Sequence, residues 1–538
     1  MYFDLHNHPA LKSFLTDTRP DKRDDCWTVY RNFLDFLVGN IIDSQASLRQ
    51  LDRSRTRLVV AALYVLEEGL EDISLIRNIL PVITHLDRGM IRSVEPARYW
   101  SRFREKVEHL EASLDRGGAP ERDFVIASTA AQIDPARNTL VLSVEGAHIL
   151  QDTPDDDPLR RLDELKSFRH RIFYLTVCHF IRNPFCTQAF AMKLVNVRKK
   201  PVFLPGGTGL SALGRQLVER AYDETTGRRI LIDVKHFSLS GRRDFYAWKR
   251  ADPRWRDIPI IASHVGVTGH SWDYSARSTH FRRGFPERLS SLGQYLVRYD
   301  AVPGLRLGKV ETRFNPQSIN LYDEDIREVI ASGGLIGLML DQRLLGVGSK
   351  FEEYFGSEDF EDLRSADTGP QPAETIPAVA LSPMEEEREI KRVRSHGREE
   401  LFNFVNPLSA GSFRSLVDML MRRREAVTLD APRRLNRRQR THLLHLANNL
   451  LHIVRVGGPT AWRHVCLGTD FDGLVDAPNN CESVLELPDL EVHLREIIEE
   501  YLASDDALSP ADYHITDLDA QIRDVMENNG RRFVMKNL

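Results

Sequence analysis

The feature that most constrains this chain is a series of short apolar runs, rich in Val, Ile and Leu, separated by stretches with helical periodicity. Runs of this length and composition predict buried β-strands. The predicted strands span residues 2–6, 58–66, 139–145, 171–177, 229–234, 259–264, 334–340 and 464–470. Two intervening stretches, 213–226 and 323–333, have the apolar spacing of helices. Strands that alternate with helices predict a parallel sheet covered on both faces.

Eight predicted strands favour a closed barrel over an open sheet. The predicted fold class is therefore α/β, a (β/α)8 TIM-like barrel with long loop insertions after strands 6 and 7. Such barrels run from about 200 to more than 400 residues, so residues 1–538 are predicted to form a single barrel. The surplus length is assigned to a loop insertion at 265–320 and to a second insertion at 341–440, predicted to be partly flexible and partly helical.

The second insertion changes character along its length. Residues 365–400 mix proline, charged and small residues, which predicts an exposed loop. Residues 413–427 and 440–456 have apolar residues at helical spacing, which predicts helices.

Composition excludes several classes of partner and location. The net charge of −5 comes from 73 basic and 78 acidic residues, so no global field favours nucleic acid or a membrane surface. No run approaches the roughly 18 apolar residues of a membrane span. The N-terminus lacks a basic segment followed by an apolar one, so a cytoplasmic location is predicted. Five cysteines without a CxxC pair predict reduced thiols.

Metal-type side chains recur where the predicted strands end. His6 and His8 project from the same face at the end of the first strand, where two imidazoles can bind one cation. An HxH pair alone is a weak signal, but active sites of (β/α)8 barrels are built at the carboxyl ends of the strands. The further side chains of this kind are Glu145, His236, His264 and Asp470.

This set of imidazoles and carboxylates suits zinc or a similar transition metal better than magnesium or calcium. Glu145 lies centrally in the series and could bridge two ions. The sequence therefore predicts a site for Zn²⁺ or a similar ion, with its ligands among these six side chains.

The motifs HNHP, SVEGAH, ILIDVKH, IIASH, NLYDEDIREVIASGGLIG and CLGTDFDG, in this order, resemble the membrane (renal) dipeptidase family, peptidase M19, within the amidohydrolase-like hydrolases. The resemblance implies a zinc hydrolase that cleaves dipeptides, in which a homodimer is plausible. It also implies that His6 and His8 bind one ion, that Glu145 bridges, and that His236 and His264 bind the second.

The resemblance further implies roles for two catalytic residues. Asp470 would accept and return a proton, and His179, in YLTVCH, would face the developing oxyanion and contribute to substrate binding. The alternative for His179 is a structural histidine at a strand end.

Two positions depart from the family. His8 stands where the family has Asp, and Ile319 stands where an Arg precedes the Asn-Leu of the family motif. Arg313 lies nearby and is a candidate substrate-binding residue. If the family arginine binds a substrate carboxylate, its loss weakens the dipeptide assignment and leaves the hydrolase assignment intact.

Other interpretations stay open at this point. The enzyme could act on another amide, an ester or a lactone, could be a phosphoesterase of the PHP type, or could be a metal-binding barrel without turnover. The VEG and TDFDG elements speak against the PHP type. Lys235 adjoins His236, and strand alternation predicts that it faces the opposite way.

Overall fold

The computed structural model describes residues 1–32, 41–73, 85–115, 124–348, 350–368, 379–402, 435–505 and 508–538. The strands within these ranges are β1 (Tyr2–Asn7), β2 (Thr56–Tyr64), β3 (Phe124–Ile126), β4 (Asn138–Glu145), β5 (Ile172–Thr176), β6 (Leu231–Asp233), β7 (Ile261–Val265), β8 (Glu287–Leu289), β9 (Gln294–Tyr299), β10 (Val302–Leu307), β11 (Val310–Phe314), β12 (Leu335–Leu338), β13 (Phe351–Gly356), β14 (Val379–Ala380) and β15 (Val465–Leu467).

Eight of these strands form the wall of a barrel. They pair in the parallel order β1-β2-β4-β5-β6-β7-β12-β15, with β3 added beside β4. Backbone hydrogen bonds bring the last strand back to the first: Asp470 N donates to His6 O at 2.8 Å and His8 N donates to Phe471 O at 2.9 Å. Each predicted strand overlaps one strand of this nearly closed barrel, so the predicted fold class is confirmed.

Helices alternate with the barrel strands. The described α-helices are Leu11–Phe14, Leu48–Ser54, Arg88–Arg92, Tyr99–Asp115, Pro158–Lys166, Ala212–Tyr222, Leu239–Ala251, Tyr274–Ser278, Asp323–Ala331, Ser357–Thr368, Pro383–Phe402, Arg437–Gly457, Leu487–Leu502, Leu518–Arg523 and Asn529–Asn537. The predicted helices at 213–226, 323–333 and 440–456 are confirmed. Their apolar stripes are buried against the barrel, as Leu217, Val218 and Ala221 illustrate in one of them.

Residues 265–320, expected as a loop insertion, contain regular structure. Strands β10 and β11 form an antiparallel hairpin, and β8 and β9 join a separate small sheet in the order β13-β9-β8-β14. This small sheet has a core of its own, which includes Leu289, Leu296 and Tyr354.

The exposed loop predicted for residues 365–400 is wrong over its second half, which forms the helix Pro383–Phe402. Ile390 and Val393 lie one turn apart on this helix and are buried in the core of the small sheet. An i,i+4 ion pair between Lys391 and Glu387 adds to the helix. Composition suggested a loop because charged residues dominate the segment, although its few apolar residues are spaced to face one side. The helix predicted at 413–427 lies outside the described residues.

The cysteines and the described helices bear on two further predictions. All five cysteines are buried and free, which agrees with reduced thiols. Among the described residues, no helix has both the length and the apolar character needed to cross a membrane.

Candidate metal centre

The predicted ligands meet around the carboxylate of Glu145, the last residue of β4. Five imidazole nitrogens lie 3.4–3.7 Å from its two oxygens. Oε1 lies 3.4 Å from Nε2 of His6, 3.6 Å from Nε2 of His264, and 3.7 Å from Nε2 of both His179 and His236. Oε2 lies 3.4 Å from Nε2 of His8. The strand ends that the sequence singled out therefore converge on one point.

Asp470 closes this cluster from the side of β15. Its Oδ1 lies 3.0 Å from His8 Nε2, and its Oδ2 lies 4.0 Å from His264 Nε2. The two Nε2 atoms of His6 and His8 are only 3.2 Å apart, as expected from their shared face at the end of β1. Three sets of donors are each compact enough to hold a metal ion: His6, Glu145 and His264; His6, His8 and Asp470; Glu145, His179 and His236.

An unsatisfied polar atom of the cluster fits a bound cation. Nε2 of His236, which faces Glu145, is buried and has no hydrogen-bond partner among the described residues. A buried polar group without a partner is costly, so such atoms commonly mark a missing ion or water. Imidazole nitrogens with carboxylate oxygens are the ligands that zinc and similar ions prefer.

The surroundings favour the metal-binding protonation states of three ligands, His236, His264 and Glu145. Burial lowers the pKa of His236 and of His264 well below the usual range, and neighbouring cationic groups act in the same direction. Burial alone would raise the pKa of Glu145, but His179 and His6 outweigh it and hold that pKa well below its usual value. The neutral imidazoles of His236 and His264 and the ionised carboxylate of Glu145 are therefore the favoured forms.

Hydrogen bonds behind two of the ligands select the tautomer. The hydroxyl of Tyr174 donates to Leu5 O at 3.0 Å, so the contact of 2.7 Å between Tyr174 and His6 requires Nδ1 of His6 to donate. Similarly, Ser263 donates to Asp233 at 2.6 Å and accepts from His264 Nδ1 at 2.7 Å. Each ring is thereby left with the lone pair of Nε2 directed at the cluster.

His179 is held by a carboxylate that the sequence analysis missed. Nδ1 of His179 lies 2.6 Å from Oε2 of the buried Glu67, which also accepts the backbone N–H groups of Phe180 and Ile181. Burial alone would lower the pKa of His179, but Glu67 and Glu145 outweigh it and raise that pKa. Glu67 follows directly on the second predicted strand, 58–66, so the strand-end criterion applied to that strand would have found it.

Unusual backbone conformations occur where the site residues are displayed. His236 and Asp470 have positive φ angles of 68° and 58°, which are rare for residues other than glycine and cluster at functional sites. Gly146, directly after Glu145, has φ of 97°, and a Cβ there would lie 2.3 Å from Nδ1 of His148. The turn after β4 therefore requires glycine.

The prediction that Lys235 faces away from the site is wrong, because the strand geometry ends before it. β6 ends at Asp233, and the positive φ of His236 breaks the alternation of side chains. Lys235 and His236 consequently both line the same cavity. Burial lowers the pKa of Lys235 to about 8.

This cavity opens beside the cluster and has a volume of about 300 Å³. Its lining includes Glu145, His179, His264 and Asp470. Much of the rest of the lining is apolar and includes Leu11, Leu15, Ile41, Leu66, Phe180 and Met192.

The predicted substrate-binding residue Arg313 lies outside the cluster. It is on the β10–β11 hairpin, where its backbone N–H donates to His445 Nε2 at 3.4 Å, and it is not among the described residues that line the cavity. Beside the cluster, Asp472 accepts the backbone N–H groups of Gln45 and Ala46 at 2.9 and 3.0 Å and so organises the loop after Asp470.

Part of the chain matches the sequence model of a known family. The sequence model of the membrane dipeptidase family, peptidase family M19, matches residues 311–505, a segment that includes Asp470. The resemblance to peptidase family M19 is confirmed over that segment. The M19 match includes Ile319 and Asn320, and it ends before the helix Leu518–Arg523.

Individual relatives match the chain over very different lengths. An uncharacterized dipeptidase of Schizosaccharomyces pombe is 48% identical over 44 residues, which are 8% of this chain and 10% of that protein. A metallopeptidase of Rhodobacter sphaeroides, liganded with a phosphinate mimic of the dipeptide L-Ala-D-Ala, is 15% identical with a TM-score of 0.49 and coverage of 100% and 99% of the two chains. The probable dipeptidase PvdM of Pseudomonas aeruginosa is 16% identical with a TM-score of 0.47 and coverage of 92% and 90%.

Proposed function

We propose that this protein is a metal-dependent hydrolase that cleaves the amide bond of dipeptides and that its metal is zinc, with two ions. The observation that carries the proposal is the position of Glu145, whose carboxylate lies 3.4–3.7 Å from five imidazole nitrogens at the carboxyl end of the barrel. The match of residues 311–505 to peptidase family M19 supports the same activity.

The proposed ligands are His6 and His8 for one ion and His236 and His264 for the other, with Glu145 between them. Bound zinc would polarise the scissile carbonyl and lower the pKa of a water molecule toward neutrality. The tautomers selected by Tyr174 and Ser263 support these assignments, because they leave Nε2 of His6 and His264 unprotonated.

In the proposed reaction, Asp470 accepts the proton of the attacking water and passes it to the amine that leaves. Such a residue must reach both oxygen and nitrogen of the reacting groups by hydrogen bonds. Asp470 lines the cavity and its two oxygens lie 3.0 Å from His8 and 4.0 Å from His264, so it borders the point where water and substrate would meet.

His179 is the proposed donor to the oxyanion that forms on the carbonyl carbon. Its Nδ1 is bound by Glu67, which leaves Nε2 directed into the cavity. The raised pKa of His179 favours the protonated ring, which donates more strongly to a developing negative charge.

A substrate panel with measured metal content tests this proposal. The full chain, loaded with zinc, should release free amino acids from dipeptides such as Leu-Leu, and a strong chelator should abolish that release until zinc is restored. Full activity in protein shown to be metal-free would contradict the proposal, as would zinc-loaded protein that cleaves no dipeptide.

The apolar lining of the cavity favours a second candidate, an amidohydrolase that removes a larger acyl group from an amide or ester. Leu11, Leu66 and Phe180 give the cavity apolar surface that a small dipeptide such as Ala-Ala would leave uncovered. Long-chain acyl amino acids and lactones in the same panel separate the two candidates, since the second predicts a higher kcat/KM for them than for Leu-Leu.

A further inference from the structure

Lys235 differs from the other lysine and arginine side chains among the described residues that line the cavity. The other three are each ion-paired: Lys12 with Asp472 at 2.7 Å, Lys193 with Glu400 at 2.6 Å, and Arg343 with Asp341. Lys235 Nζ is buried and has no hydrogen-bond partner among the described residues. Among the described residues that line it, the cavity therefore has one ammonium group whose hydrogen-bond donors are unused.

Burial makes this arrangement significant. Lys235 is only 1% exposed, so water outside the protein does not solvate its side chain. An ammonium has three donors and no acceptor, and a buried charge without a partner is strongly unfavourable. Such a group beside a catalytic cavity is best explained by an anionic ligand that supplies the missing acceptors.

The position of Lys235 indicates which part of a substrate would bind there. It follows β6 next to His236 and shares the cavity with Glu145 and Asp470, so it borders the reacting centre. Ile319 lines the same cavity and offers no charge. A substrate whose amide bond lies at the cluster would place a negative group only a few bonds away at Lys235.

We propose that Lys235 binds the carboxylate of the substrate and so selects substrates that carry a free carboxylate near the scissile amide. The inference rests on the proposed hydrolase function and adds to it the residue that determines specificity. The carboxylate oxygens would accept hydrogen bonds from the buried ammonium.

Steady-state kinetics with matched substrates test the inference. Lys235→Met keeps the length of the side chain and removes its charge. Lys249→Met is the control, because Lys249 is also buried but is not among the described residues that line the cavity. For Leu-Leu, Lys235→Met should raise KM at least about 10-fold, whereas KM for Leu-Leu amide should change by no more than about twofold. Lys249→Met should change neither KM appreciably, and Lys235→Arg should keep part of the preference for the free carboxylate.

Equal losses for Leu-Leu and Leu-Leu amide in Lys235→Met would overturn the inference, because they would assign Lys235 to the fold or to the charge balance of the cluster. Circular dichroism of each variant identifies a change caused by misfolding alone.

A binding measurement on the metal-depleted full chain separates this inference from the proposed activity. Calorimetric titration should detect hexanoate but not hexanamide with the wild type and with Lys249→Met, and neither ligand with Lys235→Met. Equal binding of hexanoate by wild type and Lys235→Met would overturn the inference. Zinc-loaded protein that cleaves no dipeptide would contradict the proposed function alone, since hexanoate binding does not depend on turnover.

Discussion

Asp470 has contacts that suit either a metal ligand or a proton carrier, and replacement by the isosteric amide distinguishes the two. Oδ1 lies 3.0 Å from His8 Nε2 and 3.7 Å from His6 Nε2. Asp470→Asn keeps the shape and one acceptor oxygen but cannot carry a proton. We expect kcat to fall by about 100-fold or more, with metal content nearly unchanged.

Kinetics together with elemental analysis of the same sample check this prediction. The control is Asp505→Asn, a replacement outside the cavity lining, which should leave kcat unaltered. A near-normal kcat in Asp470→Asn would exclude proton transfer by Asp470 and leave it as a ligand.

Glu67 allows the role of His179 to be tested through pH. Burial alone would lower the pKa of His179, and the carboxylate of Glu67 contributes most to raising it. A raised pKa keeps the ring protonated to higher pH, so removal of the carboxylate in Glu67→Gln lowers that pKa. We expect the alkaline limb of kcat/KM to move to lower pH and kcat at neutral pH to fall by about 10-fold.

The pH profile of Glu67→Gln is compared with that of Glu68→Gln, an adjacent and exposed glutamate. An alkaline limb that stays in place in Glu67→Gln would show that the group titrating there is not His179.

At the scale of the element, the barrel strands were predictable because their burial on both faces leaves a continuous apolar signal. β2 and β4 are buried over almost their whole length, and the sequence runs 58–66 and 139–145 predict them directly. The convergence of His6, Glu145 and His264 follows from the same signal, since parallel barrel strands bring their carboxyl ends to one rim.

The parts that were missed depend on geometry that no periodicity records. Lys235 enters the cavity because His236 has a positive φ angle, which a pattern based on strand alternation does not include. The helix Pro383–Phe402 gains its packing from Ile390 and Val393, which contact a sheet formed by residues distant in sequence. Both are tertiary effects, and local composition carries little information about them.

The turn after β4, which contains Gly146, gives a prediction at this scale. Gly146→Ala meets both an unfavourable φ angle and a contact of 2.3 Å with His148, whereas Gly333→Ala meets only the unfavourable φ, with no atom within 4 Å of its Cβ. We expect Gly333→Ala to lower the free energy of unfolding by about 1 kcal/mol and Gly146→Ala by about 1–3 kcal/mol more.

The midpoints of urea unfolding for both variants measure this difference. Gly146→Ala should also reduce kcat, because the turn it distorts positions Glu145. Equal midpoints for the two variants would mean that His148 moves aside without cost.

At the scale of the whole molecule, the barrel gathers ligands from strands that are far apart along the chain. His6 and Asp470 are separated by almost the entire sequence, and the hydrogen bond from Asp470 N to His6 O joins the first and last barrel strands at the site itself. A metal ion bound there would therefore tie the closure of the barrel to the occupancy of the site. The cytoplasmic location and the homodimer stay predictions from the sequence.

That connection predicts a stability that depends on metal concentration. An ion that binds only the folded state stabilises it by about 2.7 kcal/mol at a free concentration 100 times its Kd. We expect Tm of the full chain to rise with added zinc and to fall in a strong chelator. Glu145→Gln should lose this response, because the Glu145 carboxylate contacts the histidines of both proposed ion positions. Differential scanning calorimetry over a zinc series measures the response. A Tm of wild type that is the same with zinc and with chelator would show that barrel closure does not depend on the metal.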